Sequence, residues 1–158
     1  MTQKIRASVL HGVRDVRLVS TTHPMQNALA NISKEERSLD APKEDELQIS
    51  VRSTGICGSD LHYYHHYRNG DIIVREPMSL GHESAGVIDA VGSSVAGFEV
   101  GDRVALEAGI PCGNCDRCDE GRYNLCKSMS FRSSAKSFPH FQGTLQEKVN
   151  HPAAWCHR

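Results

Sequence analysis

Between Cys112 and Cys126 the chain sets four cysteines in the pattern C-x2-C-x2-C-x7-C. Four thiolates complete the tetrahedral shell of a zinc ion and leave no position for water or substrate, so such a site is structural. Close spacing lets one loop wrap the ion, the longer last step brings the chain back, and Gly113 and Gly121 supply sharp bends. The competing reading is an iron–sulfur cluster, since a bacterial ferredoxin run also begins C-x2-C-x2-C. That run continues with three residues, a cysteine and a proline. Here the gap is seven and Lys127 follows Cys126, which favours zinc. A second donor set is scattered. Adjacent His82 and Glu83 offer a nitrogen and an oxygen from one turn, and Cys57, distant from the cluster, offers a sulfur. Three such ligands plus a water make the open zinc site of an enzyme. On the residues alone another reading stands beside it, with His82 satisfied in a core and Cys57 a small buried hydrophobe.

The elements that must position these residues are mostly short strands. Residues 4 to 10 and 14 to 19 are apolar-rich runs joined across Gly12, a hairpin pattern. Leu47, Ile49 and Val51 alternate with polar neighbours, the period of a half-buried strand. Val87, Ile88, Ala90 and Val91 form another, ended by Gly92-Ser93-Ser94; Gly101-Asp102 turns the chain into Val104, Ala105 and Leu106. Thr144 to Val149 predicts a late strand and Ala153 to Cys156 one more, while Leu61 to Tyr67 predicts a short helix after Cys57. His82 and Glu83 fall at a turn just before a strand. The polar stretch 21–45, with its run Ser33-Lys34-Glu35-Glu36-Arg37, predicts a solvated loop or short surface helix. Many short strands and glycine turns predict a mainly β fold, a sandwich or partly open barrel with short helices.

Composition narrows the classes of function. The 158 residues suit one domain, with 39% hydrophobic and 23% charged content. A net charge of −1 gives no broad attraction to nucleic acid or an anionic membrane. No apolar run spans a bilayer, and the start MTQKIRASVLHGVRDVRL lacks the apolar stretch of a signal peptide. The expectation is a cytoplasmic protein, in which the clustered thiols among its six cysteines are metal ligands rather than parts of three disulfides. None of the 13 glycines falls in a G-x-G-x-x-G turn, so a dinucleotide-binding Rossmann domain is expected to be absent from these residues.

The segment Gly81-His82-Glu83-x-x-Gly86-x5-Gly92-x2-Val95 resembles the zinc signature of the medium-chain alcohol dehydrogenases at every position. GICGSDLHYYHH, from Gly55 to His66, is similar to the segment that carries their first catalytic ligand, and PCGNCDRCDEGRYNLC resembles their structural-zinc lobe. The three occur in the family's order, and the resemblance is fullest over residues 46 to 158. CGSDLHYY, PMSLGHESAG and FRSSAKSFPHFQGTL resemble the polyol dehydrogenases of the sorbitol, xylitol and arabinitol type.

That resemblance implies a GroES-like partly open β-barrel over residues 1–158, with a structural-zinc lobe at 109–128. It implies two zinc ions per chain. One is catalytic, on Cys57, His82 and Glu83; the other is structural, on Cys112, Cys115, Cys118 and Cys126. It also implies oxidation of a small-molecule polyol to a ketose with NAD or NADP, and homo-oligomers of the full-length enzyme. Ser59 matches the hydroxyl that relays the alcohol proton, with a helix N-cap as its alternative. Asp60 matches a carboxylate that orients the zinc-bound histidine, or is simply a first-turn acid. Tyr63 resembles a pocket-wall residue, which packing explains equally well, and Phe131 and Ser134 match substrate-side residues. His62, His65 and His66 receive no ligand role, and Cys156 is expected to be a buried thiol. Family members continue into a coenzyme domain. The chain by itself is therefore expected to be inactive, as a truncated polyol dehydrogenase or, alternatively, as a non-catalytic zinc module partnering a full-length relative.

Overall fold

Alternating apolar side chains draw the first strand inward. In β1 (Gln3–Gly12), Ile5, Ala7 and Val9 point to the interior. The computed structural model describes residues 2–12, 15–18 and 34–158. The expected hairpin forms, with β1 antiparallel to β2 (Asp15–Leu18). Its other neighbour was not expected as a strand. Lys34–Leu39 form β3, antiparallel to β1 from Gln3↔Leu39 to Ser8↔Lys34, where the charged run predicts a loop or helix. Charges suit an edge strand, which β3 is among the described residues, and Lys4 pairs with Glu36 at 2.7 Å. Residues 21–33 of the expected loop lie outside the described residues.

The chain then enters β4 (Glu46–Gly55) and α1 (Gly58–His66). A small hairpin of β5 (Arg68–Asn69) and β6 (Ile72–Ile73) follows, and β7 (Met78–Ser79) pairs with β1. Next come β8 (Glu83–Val91), β9 (Arg103–Leu106) and β10 (Gly109–Ile110). The short helix α2 (Asp116–Asp119) precedes β11 (Ser130–Phe131), β12 (Lys148–Pro152) and β13 (Cys156–His157). The central sheet is antiparallel in the order β12-β4-β8-β9-β13, and β1 with β2, β3 and β7 makes a second sheet. Among the described residues these sheets do not close on each other, so the mainly β, partly open architecture is as expected.

Two cores result. Leu47, Ile49, Ile88, Val104, Leu106, Val149 and Cys156 fill the central sheet. Leu10, Tyr63, Val74, Met78, Leu80 and Ala135 pack α1 beneath the β1 sheet. Cys156 is the buried thiol expected of it, and burial pushes it up to about 12. Gln48, placed outward by the period of two, is buried because it bonds Gln3 and Asn150. The late strand starts at Lys148, not Thr144, since the preceding backbone is spent elsewhere. Gly143, Thr144 and Leu145 donate their N–H groups to the carbonyls of Ser79, Gly81 and Leu80 at 2.8–2.9 Å. Ala153–Trp155 form a 3-10 turn rather than a strand, and β13 begins only at Cys156. No helix among the described residues is long and apolar enough to cross a membrane.

Candidate metal centres

Strand register assembles the open site. β4 and β8 pair antiparallel with Gly55 opposite Glu83, so Cys57, two residues past the end of β4, meets His82 and Glu83 at the start of β8. Ligand atoms of Cys57, His82 and Glu83 lie within 4.8 Å of one another. Gly55 makes room for this, since a Cβ there would stand 2.6 Å from Glu83 Oε2. Gly81 turns the chain at φ 86°, and its Cβ would stand 2.6 Å from Thr54 Cγ2.

Asp60 holds this arrangement together. Buried in the first turn of α1, it accepts hydrogen bonds from the N–H groups of Cys57 and Gly81, both at 3.0 Å, and from the Ser133 hydroxyl at 3.2 Å. Its Oδ1 also lies 3.6 Å from His82 Nδ1, a buried nitrogen with no hydrogen-bond partner. At that length the contact is electrostatic rather than a made hydrogen bond. It aims Nδ1 at the carboxylate and leaves Nε2 for an ion, the orientation a ligating histidine needs. Asp60, opposed by burial and aided by Cys57, raises His82 to about 9. Burial pushes the Asp60 carboxyl up, but His82 and the Gly81 and Cys57 N–H groups outweigh it and leave the group below its ordinary value. The Ser59 N–H and hydroxyl, followed by His82, hold the Cys57 thiol low. A sulfur, an imidazole and a carboxylate, one of them tied to a buried acid, fit zinc.

The structure sorts the neighbouring residues. Cys57 is the N-cap of α1, so Ser59 sits two residues inside the helix and the N-cap alternative does not hold. Its hydroxyl lies beside Cys57. Tyr63 is no pocket wall. It is 2% exposed in the second core, with its hydroxyl accepting the Ala135 N–H at 3.3 Å. Phe131 presents its ring at 62° to His82, 5.3 Å between centroids, and shares a pocket with Ser134. His62, His65 and His66 lie on the exposed side of α1. Two residues that sequence reasoning missed stand at the site or next to it in the chain. Ser133, in the left-handed region at φ 58°, reaches Asp60, and buried Arg132 donates from Nε to His151 Nδ1 at 2.9 Å. Neither has a local signal, because both act across more than a dozen residues.

The second centre is a lobe on the β10–β11 ribbon. Sulfur separations are 3.4 Å for Cys112–Cys126, 3.6 Å for Cys115–Cys118 and 3.9 Å for Cys115–Cys126. Sulfurs placed ~2.3 Å from one tetrahedral centre stand ~3.8 Å apart, so the four fit a single zinc ion. They are far too distant for disulfides, whose bond is about 2.05 Å. The Lys127 and Cys118 N–H groups hold Cys115 down at about 6, and the Cys112 N–H lowers Cys126. Desolvation, with the neighbouring Cys115, pushes Cys118 up to about 11. Backbone amides thus favour thiolate at two of the four positions before any ion arrives.

The likenesses to known proteins follow the same lines. The alcohol dehydrogenase GroES-like domain family matches residues 43–158. Over 113 residues the chain is 51% identical to the L-arabinitol 4-dehydrogenase of Aureobasidium melanogenum, covering 72% of this chain and 30% of that protein. It is 46% identical over 129 residues to the sorbitol dehydrogenase of Bacillus subtilis, covering 82% of this chain and 32% of that one. The chain thus spans roughly a third of the length of these curated relatives. Among solved structures, the L-idonate 5-dehydrogenase of Escherichia coli superposes with a TM-score of 0.80 at 28% identity, over 99% of this chain and 40% of that one. With its fold, its order of motifs and a match that covers most of its length, the chain belongs to the alcohol dehydrogenase family through its GroES-like domain.

Proposed function

We propose that this chain is the catalytic domain of a zinc-dependent polyol dehydrogenase, which oxidises a hydroxyl of a sugar alcohol to give a ketose. The convergence of Cys57, His82 and Glu83 within 4.8 Å, with buried Asp60 behind His82, carries the reading. In this reading those three side chains hold a catalytic zinc, and Cys112, Cys115, Cys118 and Cys126 hold a structural one. A zinc ion at the open site would supply Lewis acidity that lowers the pKa of a substrate hydroxyl.

The chain's own residues do the rest. Asp60 fixes the ring of His82 and, through the Cys57 and Gly81 N–H groups, the spacing of the donors. Ser59, partly exposed beside Cys57, takes the alcohol proton at Oγ and passes its own to solvent. Phe131 covers one side of His82 and keeps water from that flank. The hydride would pass to a nicotinamide coenzyme, NAD or NADP, for which the described residues build no binding fold. By themselves they therefore turn nothing over. The working enzyme is a cytoplasmic homo-oligomer.

Intact mass, metal content and turnover test this together. The protein isolated from its source cells is expected to be longer than 158 residues, to hold two zinc ions per chain, and to reduce NAD or NADP with sorbitol, xylitol or arabinitol. Cys57→Ser is expected to abolish turnover and leave one zinc. A product of full zinc content that is inert towards all three polyols would sink the reading and leave a zinc-binding module.

A further inference from the structure

The face of α1 opposite Asp60 and Tyr63 carries three histidines that the open site does not use. His62, His65 and His66 are all exposed. At 3.6 residues per turn His65 and His66 stand one turn above His62, on either side of it, within an arc of about 100°. The ring centroids of His62 and His66 are 6.1 Å apart, and those of His65 and His66 6.0 Å. Two imidazoles on one ion, each with nitrogen about 2.1 Å from it, bring their centroids to about 5 Å. The rings thus need to close by about 1 Å, which exposed side chains reach by small χ rotations. Arg68, the next cation along the chain, is turned away to the Gly70 carbonyl at 2.6 Å and to Asp71.

We propose that this face is a third metal site, in which His62 and His66 clasp one divalent transition-metal ion and His65 is an alternative arm. Imidazole donors alone select zinc, nickel or copper and give nothing to magnesium or calcium. The ion spans the last turn of the helix whose N-cap is Cys57, so it braces the element that presents the open site. The proposal does not depend on the reading of that site, because its donors are separate.

The test uses the chain already holding its zinc. Nickel is added while the imidazole C–H resonances are followed, and bound nickel is counted by equilibrium dialysis. His62 and His66 are expected to broaden first, with one nickel bound per chain. The double variant His62→Gln with His66→Gln should lose that broadening and bind nickel at least tenfold more weakly; His65→Gln should weaken it less. These substitutions are on the surface, and unchanged zinc at the four cysteines will report an intact fold. Equal nickel uptake by the double variant, or first broadening at His11 or His157, would overturn the site.

Discussion

The lobe and the open site are assembled by different physics. In the lobe all four sulfurs come from one stretch, Cys112 to Cys126, and the ribbon beneath it is only two residues wide on each strand. Little apolar surface is buried there, and α2 has no buried residue. In the proposed reading its shape would come from the zinc ion, as in small zinc modules. The open site draws Cys57 from the end of β4 and His82 and Glu83 from the start of β8, whose ladder runs from Leu47↔Val91 to Gly55↔Glu83. That scaffold stands on buried Leu47, Ile49 and Ile88, and so it forms without help from a metal. Local spacing makes a site that needs its ion; sheet register makes one that waits for it. The two meet at residues 130–133, where the return strand of the lobe lays Phe131 on His82 and Ser133 on Asp60.

The largest effect should come from breaking the lobe. Structural zinc contributes roughly 10–16 kcal/mol of apparent binding in small zinc peptides, so Cys115→Ser is expected to cost most of that site's affinity. Amide exchange between residues 112 and 128 should become fast while β4 and β8 stay protected. Loss of protection in both regions would erase the distinction. The converse perturbation is Gly81→Ala. Its backbone is in the left-handed region at φ 86°, and the added methyl meets Thr54 Cγ2 at 2.6 Å and Leu145 Cγ at 2.8 Å. About 3 kcal/mol of destabilisation is expected from strain and overpacking together, measured by denaturant unfolding. The four-cysteine ion should remain in this variant and the open-site ion should go.

How far each centre could be read from the chain follows from the same contrast. The four cysteines announce themselves, because their spacing along the backbone is nearly their spacing in space. Cys57, His82 and Glu83 did not converge on residue reasoning alone; a family resemblance named them, and the Gly55↔Glu83 register supplies the physical reason. Asp60 was legible as a first-turn acid, but its grip on Gly81 and Ser133 depends on residues 21 and 73 positions away. The strand at Lys34–Leu39 stayed hidden because four of its six residues are charged and none of the four alternates with an apolar one, and only pairing to β1 explains it. Tyr63 was ambiguous for want of knowledge of what lay above α1.

Asp60→Asn separates positioning from ligation. The amide still occupies the site but loses the charge facing His82 and one acceptor for the surrounding N–H groups. A fall of about 10–100-fold in open-site zinc affinity is expected, the usual cost of removing a group behind a ligand, with no change at the lobe. Competition against a zinc chelator of known strength would show it. An unchanged affinity would mean that the β4–β8 register alone holds His82 in place.

The gentlest probe is pH, acting through the junction between the two regions. Arg132, next to Phe131 and Ser133, is buried and donates to His151 Nδ1 at 2.9 Å. Burial, followed by the Arg132 charge, pulls His151 down to about 3 from the ordinary 6.5. Between those values the unfolded chain binds a proton that the folded chain refuses, so stability rises with pH across the window and is lost on acidification from about 6.5 towards 3. One proton corresponds to at most ~1.4 kcal/mol per pH unit. His151→Gln keeps an acceptor for Arg132 and removes the titration, so the difference between the two unfolding curves isolates this proton from any common effect of zinc release. The wild-type chain should lose roughly 1 kcal/mol more than the variant between pH 6.5 and 5.5. Parallel curves would mean that His151 takes up its proton alike in the folded and the unfolded chain, and that neither burial nor the Arg132 charge holds it neutral.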